Sequence, residues 1–270
     1  MPELPEVERA VRALRDATHD AIIERVEILH PSLERRVSHD AARALHGARV
    51  RDVERRGKHQ LVHLEDGRVL HAHFRLNGDW IIGSSTDPLP RFARAAFYLT
   101  NGTRVVLEDS RALSTLDIHA PNAPLSLDLG PEPQDPTLTP SRLRASFARR
   151  RIPIKVALLD QRIIAGLGNI YASEALWRAK IDPRASAASL DQSQVRRLLA
   201  AIRRVIERAT GARYTSTEGA RLDAYDREGR PCRRCRTKIA RVTQAGRSTY
   251  FCPRCQRATG ISRAPRSRRS

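Results

Sequence analysis

A chain of 270 residues has room for two ordinary domains and a small appendage, each with a core that needs no disulfide to hold it. Its formal charge of +19 and pI near 11.2 exceed what solubility asks for and point to a polyanionic partner, nucleic acid first. With no run of about 18 apolar residues and no basic patch ahead of an apolar stretch, neither a membrane span nor a signal peptide is expected, and the expected compartment is the cytoplasm, on the nucleoid in a bacterium.

Only four of the 49 basic residues are lysines, so a general taste for arginine would inflate the charge by itself. The distribution says more: residues 229–270 hold 13 Lys or Arg and no Asp or Glu, which makes a basic face or arm.

The chain opens Met1-Pro2-Glu3-Leu4-Pro5-Glu6. Leu4, Val7, Val11 and Leu14 follow at three- and four-residue spacing, and Pro5 and Glu6 suit a first helical turn, so a short amphipathic helix is expected here. Removal of Met1 is expected before a residue as small as proline and would leave a secondary amine beside a carboxylate. Such an amine attacking a sugar C1′ forms an iminium that is charged at any pH, an electron sink for later eliminations. The neighbouring acid can protonate the opening ring. Taken alone, the same residues read more simply as a helix start.

From Ile22 to Asp109 the pattern turns to β. Residues 60–64 and 68–74 flank a Glu65-Asp66-Gly67 turn, and residues 96–99 and 104–108 flank Asn101-Gly102, a pair suited to a type I′ turn. The expectation is a β-sandwich. Six prolines then interrupt residues 121–140, which read as a linker.

Helical patterns follow. The clearest places Val195, Leu198, Leu199, Ile202, Val205 and Ile206 on one face and ends at Gly211, a plausible left-handed residue just past the helix. Before it, Gly166-Leu-Gly168-Asn169 allows a tight turn between helices and sets Asn169 at a helix amino terminus, where backbone N–H groups attract phosphate. A packed turn between two helices explains the same residues.

All four cysteines lie between residues 232 and 255, in the pattern Cys232-x2-Cys235-x16-Cys252-x2-Cys255. Two such knuckles converge four thiolates on one tetrahedral Zn²⁺, and with no open coordination position that zinc holds a fold and does not activate water. Arginines 233, 234, 236, 241, 247 and 254 surround the knuckles as candidate phosphate contacts. Residues 261–270 read as a basic, disordered tail.

The opening Pro-Glu-Leu-Pro-Glu-Val-Glu, the Gly-Leu-Gly-Asn-Ile-Tyr-Ala-Ser-Glu segment and the cysteine spacing, in this order, resemble the formamidopyrimidine-DNA glycosylase and endonuclease VIII family, from residue 2 to about 257. The resemblance implies a multidomain α+β fold: an N-terminal β-sandwich with an N-terminal helix, a helical helix-two-turn-helix domain and a C-terminal zinc-finger β-hairpin. The boundaries it suggests are 2–120 for the catalytic sandwich, 121–140 for the linker, 141–228 for the helix-two-turn-helix, 229–260 for the zinc finger and 261–270 for the tail.

By the same resemblance the chain would be a bifunctional DNA glycosylase and AP lyase that cuts by β,δ-elimination. It would act as a monomer on double-stranded DNA with damaged bases or abasic sites, the DNA lying in the cleft between its domains. Pro2 would match the nucleophile, Glu3 the acid, Lys58 the hairpin lysine of β-elimination and Arg247 the zinc-finger arginine linked to δ-elimination. Asn169 and Arg151 would match DNA contacts. Arg111 keeps the arginine that faces the orphaned base, while Leu76 and Leu113 stand where the family carries a methionine and a phenylalanine wedge. A histidine pair expected near 92–94 is replaced by Phe92-Ala93-Arg94, and His59 and His63 read as ordinary strand residues. With only 22 residues over 210–231, a loop that covers 8-oxoguanine in specialised members would be short; together with the leucine wedges this leads us to expect abasic sites and oxidised pyrimidines or other weakly stacked lesions to be cut faster than 8-oxoguanine opposite cytosine, as in endonuclease VIII. The alternative is a damaged-DNA-binding zinc protein of this fold with lost or altered catalysis.

Overall fold

The computed structural model describes residues 2–211 and 222–257. The chain forms two compact units, Met1–Leu129 and Gly130–Ser270. Among the described residues no helix is long and apolar enough to cross a membrane.

The first unit begins with helix α1 (Leu4–Thr18), which starts where expected and runs one turn further. At this end the Glu3 backbone N–H donates to Glu6 Oε2 at 2.9 Å. Val7, Ala10, Val11 and Leu14 form its buried stripe, and α1 packs on two strands, β2 (Val50–Arg56) and β5 (Asp79–Ser84). One antiparallel sheet joins β2, β3 (His59–Leu64), β4 (Val69–His73) and β8 (Thr115–His119) in that order. The other has the order β1 (Ile23–Ile28), β6 (Ala93–Leu99), β7 (Thr103–Glu108), β5. Side-chain alternation decides what lies between them: Val62, Leu70 and Leu116 from the first sheet share one core with Trp80, Phe97 and Leu107 from the second. This is the expected β-sandwich, with two short helices, α2 (Pro31–Glu34) and α3 (His39–Arg43), between β1 and β2.

One turn differs from expectation. Between β6 and β7 only Gly102 has a positive φ, 79°, while a type I′ turn would need Asn101 there as well. The chain instead makes a three-residue loop: the Gly102 N–H donates to Leu99 O at 3.0 Å and Asn101 Oδ1 accepts from the Thr103 N–H at 3.0 Å. The asparagine is used for its side-chain acceptor, not for its tolerance of left-handed backbone.

The second unit contains α4 (Pro140–Phe147), α5 (Ile154–Ala157), α6 (Asn169–Ala179), α7 (Gln192–Gly211) and a hairpin of β9 (Ala240–Gln244) and β10 (Arg247–Phe251). The face read from the sequence is the buried face of α7, which packs on α6 and α4. Gly211 remains within α7 and lacks the left-handed φ that a residue past the helix end would have. Residues 133–138 are fastened to α7 because Arg203 donates to the carbonyls of Pro133, Asp135 and Leu138. Between α5 and α6 the Gln161 amide closes the turn, accepting from the Gly166 N–H at 2.9 Å and donating to Leu167 O at 2.8 Å, with Gly166 at φ 85°.

Candidate nucleic-acid interface and metal centre

The four cysteines meet as the spacing requires. Their sulfurs all lie within 4.8 Å of one another, and Cys232 and Cys252 are fully buried. A tetrahedral zinc with Zn–S bonds of about 2.3 Å sets its sulfurs roughly 3.8 Å apart, so this donor set fits that ion. Hairpin β9–β10 brings the second knuckle back to the first through a two-residue loop in which Ala245 and Gly246 have φ of 47° and 70°. The type I′ geometry occurs here, without the asparagine that usually signals it.

Helix α6 ties this ribbon to the rest of the second unit at three levels. At its start the Asn169 Nδ2 donates to Ser248 O at 3.0 Å, one residue after Arg247 on β10. In its middle the buried Glu174 carboxylate accepts the N–H groups of Asp223, Ala224 and Tyr225 at 2.7–2.8 Å, while burial pushes its pKa up. Near its end the Trp177 Nε1 donates to Cys232 Sγ at 3.4 Å, and the Arg234 guanidinium lies 3.7 Å over the same indole. Two of the candidate phosphate ligands, Asn169 and Arg247, are thereby brought to one place, and both depend on the ribbon. Arg151 is exposed in the segment between α4 and α5.

In the first unit Pro2 is half-buried and Glu3, at the helix cap, is fully buried. Lys58 stands in the tight turn between β2 and β3, where Gly57 has a φ of 60°. That turn is braced against α1: Arg55 donates to Glu8 Oε2 at 2.7 Å and to Gly57 O at 3.0 Å. Burial opposes the charge of Glu8, yet the bonds from Arg55 and Arg12 outweigh it and hold its pKa below the usual value.

Two histidines beside Lys58 carry more than strand propensity. Burial and then neighbouring charges, Lys58 among them, push His59 down to about 4 and His73 down to about 3. The two rings meet edge to face with centroids 4.7 Å apart, and His59 Nδ1 lies 2.8 Å from His71 Nε2. Both rings facing the lysine turn are therefore neutral at pH 7. Pairing of β3 with β4 makes this cluster, which no spacing along the chain announces.

Leu76 and Leu113, expected as wedges, are exposed by 37% and 47%, and Arg111 is exposed as well. Asp109, not singled out in the sequence, underlies them: its carboxylate accepts the N–H groups of Arg111, Leu113 and Ser114. Arg94, where a histidine was expected, donates its Nε to Asp109 O at 2.7 Å and so supports the same loop. An Asp at the head of a turn is the available signal for the first; nothing local marks the second. Met1, residues 212–221 of the short connection, and the tail from residue 258 onward lie outside the described residues.

The family model described as the formamidopyrimidine-DNA glycosylase N-terminal domain matches residues 1–116, that of the H2TH domain matches 129–219, and a zinc finger found in FPG and IleRS matches 229–258. A formamidopyrimidine-DNA glycosylase of Paracoccus denitrificans is 40% identical over 280 residues, covering 95% of this chain and all of the relative. One from Symbiobacterium thermophilum is 41% identical over 290 residues, covering 100% and 94%. Among solved structures, MutM in complex with DNA containing carbocyclic 8-oxo-G matches with a TM-score of 0.89 at 28% identity, covering 95% of this chain and 100% of that one. Lactococcus lactis Fpg in complex with DNA containing an oxidised pyrimidine matches with the same score, identity and coverage. The zinc-finger match and the sulfur cluster together make the metal one structural zinc.

Proposed function

Because the chain belongs to the formamidopyrimidine-DNA glycosylase family and is a DNA glycosylase of base excision repair, we propose that it is also an AP lyase whose nucleophile is the amine of Pro2. The observation that carries this reading is local to the first unit. A half-buried proline precedes a buried glutamate at the start of α1, and α1 packs on the strand leading into the Lys58 turn.

With Met1 removed, the Pro2 nitrogen attacks C1′ and the damaged base leaves with the glycosidic electron pair, taking up the proton that the amine loses. Glu3 gives its proton to the ring oxygen as C1′–O4′ breaks, leaving an iminium between Pro2 and the opened sugar. Loss of a C2′ proton, assisted by Lys58, expels the 3′ phosphate; a second elimination at C4′, assisted by Arg247, expels the 5′ phosphate. Water then releases the sugar fragment from Pro2. Arg111, Leu76 and Leu113 fill the space behind the flipped base, and Asn169 and Arg151 hold phosphates. The protein acts on duplex DNA as a monomer.

Borohydride reduction during turnover on a duplex with one abasic site tests the nucleophile. The cross-link should map by mass spectrometry to the peptide beginning at Pro2. A cross-link at Lys58 would move the role to that lysine, and no cross-link would leave a damaged-DNA-binding protein with lost or altered catalysis; either refutes Pro2 as the nucleophile.

Affinity should fall steeply with salt, because Lys58, Arg151, Arg247 and neighbouring arginines displace condensed counterions. With about six phosphates neutralised, log K against log salt should slope at roughly −5, and Arg247→Ala should make it shallower by about one without changing sequence preference. Titrations at four salt concentrations check this; a flat dependence contradicts it.

Leucine is shorter than methionine and lacks the stacking face of phenylalanine, so Leu76 and Leu113 offset less of the few kcal/mol that unstacking costs. Abasic sites and oxidised pyrimidines should therefore be cut faster than 8-oxoguanine opposite cytosine. Single-turnover rates on matched duplexes decide it, and fastest excision of 8-oxoguanine would sink the argument from the wedges.

A further inference from the structure

The two stretches assigned to fill the space behind a flipped base are different connections between the two sheets, residues 74–78 from β4 to β5 and residues 109–114 from β7 to β8. They are not independent. Asp109 is 1% exposed, and although burial opposes its charge, N–H groups from Arg111, Ser114 and Leu113 hold its pKa below the usual value. Its Oδ1 accepts from Arg111 at 2.9 Å, and its Oδ2 accepts from Leu113 and Ser114 at 2.7 Å each. The turn this creates puts Ala112 at a φ of 53°.

Ser114 then joins that turn to the other connection. Its hydroxyl lies 2.8 Å from Asp109 Oδ2 and 3.1 Å from Phe74 O, and one proton can serve only one acceptor at a time, so the group is held between both. On the facing side the Gly78 N–H donates to Phe74 O at 3.0 Å. A Cβ on Gly78 would stand 2.3 Å from Ser114 Oγ and 2.9 Å from Phe74 O, so the two loops approach as closely as glycine permits.

We propose that Asp109 and Ser114 are positioning residues that lock these two loops into one preformed wedge, so that Leu76 and Leu113 enter the duplex together. The proposal rests on the reading that the two leucines occupy the vacated space. A short wedge gains little contact when it inserts, and holding it in the inserted shape beforehand removes the ordering cost that would otherwise be charged against that gain.

The test compares single-turnover excision of a paired oxidised pyrimidine with cleavage of a preformed abasic site in the full-length protein. Ser114→Ala should slow excision about fivefold and Asp109→Asn about thirtyfold, as expected for one neutral and several charge-assisted hydrogen bonds. Abasic cleavage should fall less in both, since no paired base has to be extruded. A double-mutant cycle reads the coupling directly. In the otherwise unaltered protein the losses from Leu76→Ala and Leu113→Ala should depart from simple multiplication by about fivefold; in a Ser114→Ala background they should multiply. Simple multiplication in the unaltered protein, or equal losses on both substrates in step with a lowered Tm, overturns the wedge. If the unaltered protein neither excises nor is trapped on any damaged duplex, the enzymatic reading falls and the wedge with it; active protein with independent leucines overturns the wedge alone.

Discussion

Replacing Pro2 with glycine is expected to slow base excision at least about a hundredfold, some 2.7 kcal/mol of transition-state stabilisation, while most DNA affinity remains. The reason lies in the amine. A secondary amine condenses to an iminium that is charged at every pH, whereas glycine supplies a primary amine whose imine must gain a proton before it withdraws electrons equally well. Binding should survive because the phosphate contacts belong to other residues. Glu3→Gln should divide the chemistry differently, impairing excision of an intact base more than cleavage of a preformed abasic site, since only the former needs the full base-release step. The measurements are single-turnover rates and borohydride trapping on both substrates, with filter binding as the control. Unchanged trapping after the terminal amine is blocked would transfer the role to another nucleophile.

Loss of zinc should be equally severe and act on binding first. Strands β9 and β10 have five residues each, and the ribbon's cluster of buried side chains is small, centred on Trp177, Ile239, Tyr250 and the cysteines. So few apolar contacts cannot hold the hairpin without the metal, whose binding is worth on the order of 10 kcal/mol in comparable small sites. Cys252→Ser, or chelation, should therefore unfold the ribbon, release Arg247 and the Asn169–Ser248 contact, and lower DNA affinity about a hundredfold or more. Trp177 offers a readout other than activity, because its indole N–H faces Cys232 and its ring carries Arg234, so its fluorescence should change as the ribbon opens. Metal analysis should find one zinc per chain. Absence of zinc from fresh, reduced protein, or unaltered affinity after chelation, would contradict this account.

Much of this protein can be read along the chain, and the readable parts share a physical cause. The α1 stripe, the buried face of α7 and the strand alternation of residues 69–73 are periodic because each element turns one face to a core, and a period is a property of neighbouring residues. The zinc ligands are legible for a related reason: two short knuckles present their thiols locally, and only one long-range meeting has to be assumed. Turn chemistry is less certain even over a few residues. Asn101-Gly102 carries the type I′ signal and does not adopt it, while Ala245-Gly246 adopts it without the signal, because loop length and strand register set the backbone angles.

What only the tertiary structure decided consists of contacts made between elements. The His59, His71 and His73 cluster exists because β3 pairs with β4, and that pairing places neutral rings beside Lys58. Arg94 reaches Asp109 across 15 positions, Ser114 reaches Phe74 across 40, and Glu174 reaches residues 223–225 across about 50. Each is a polar group whose burial is favourable only where a particular distant partner satisfies it, and no local pattern encodes that partner. The sequence by itself thus determined the metal ligands and singled out the residues proposed to carry the chemistry. Their placement within each unit, the lysine turn and the joined loops in the first and the ribbon in the second, follows from hydrogen bonds that close only after the chain has folded.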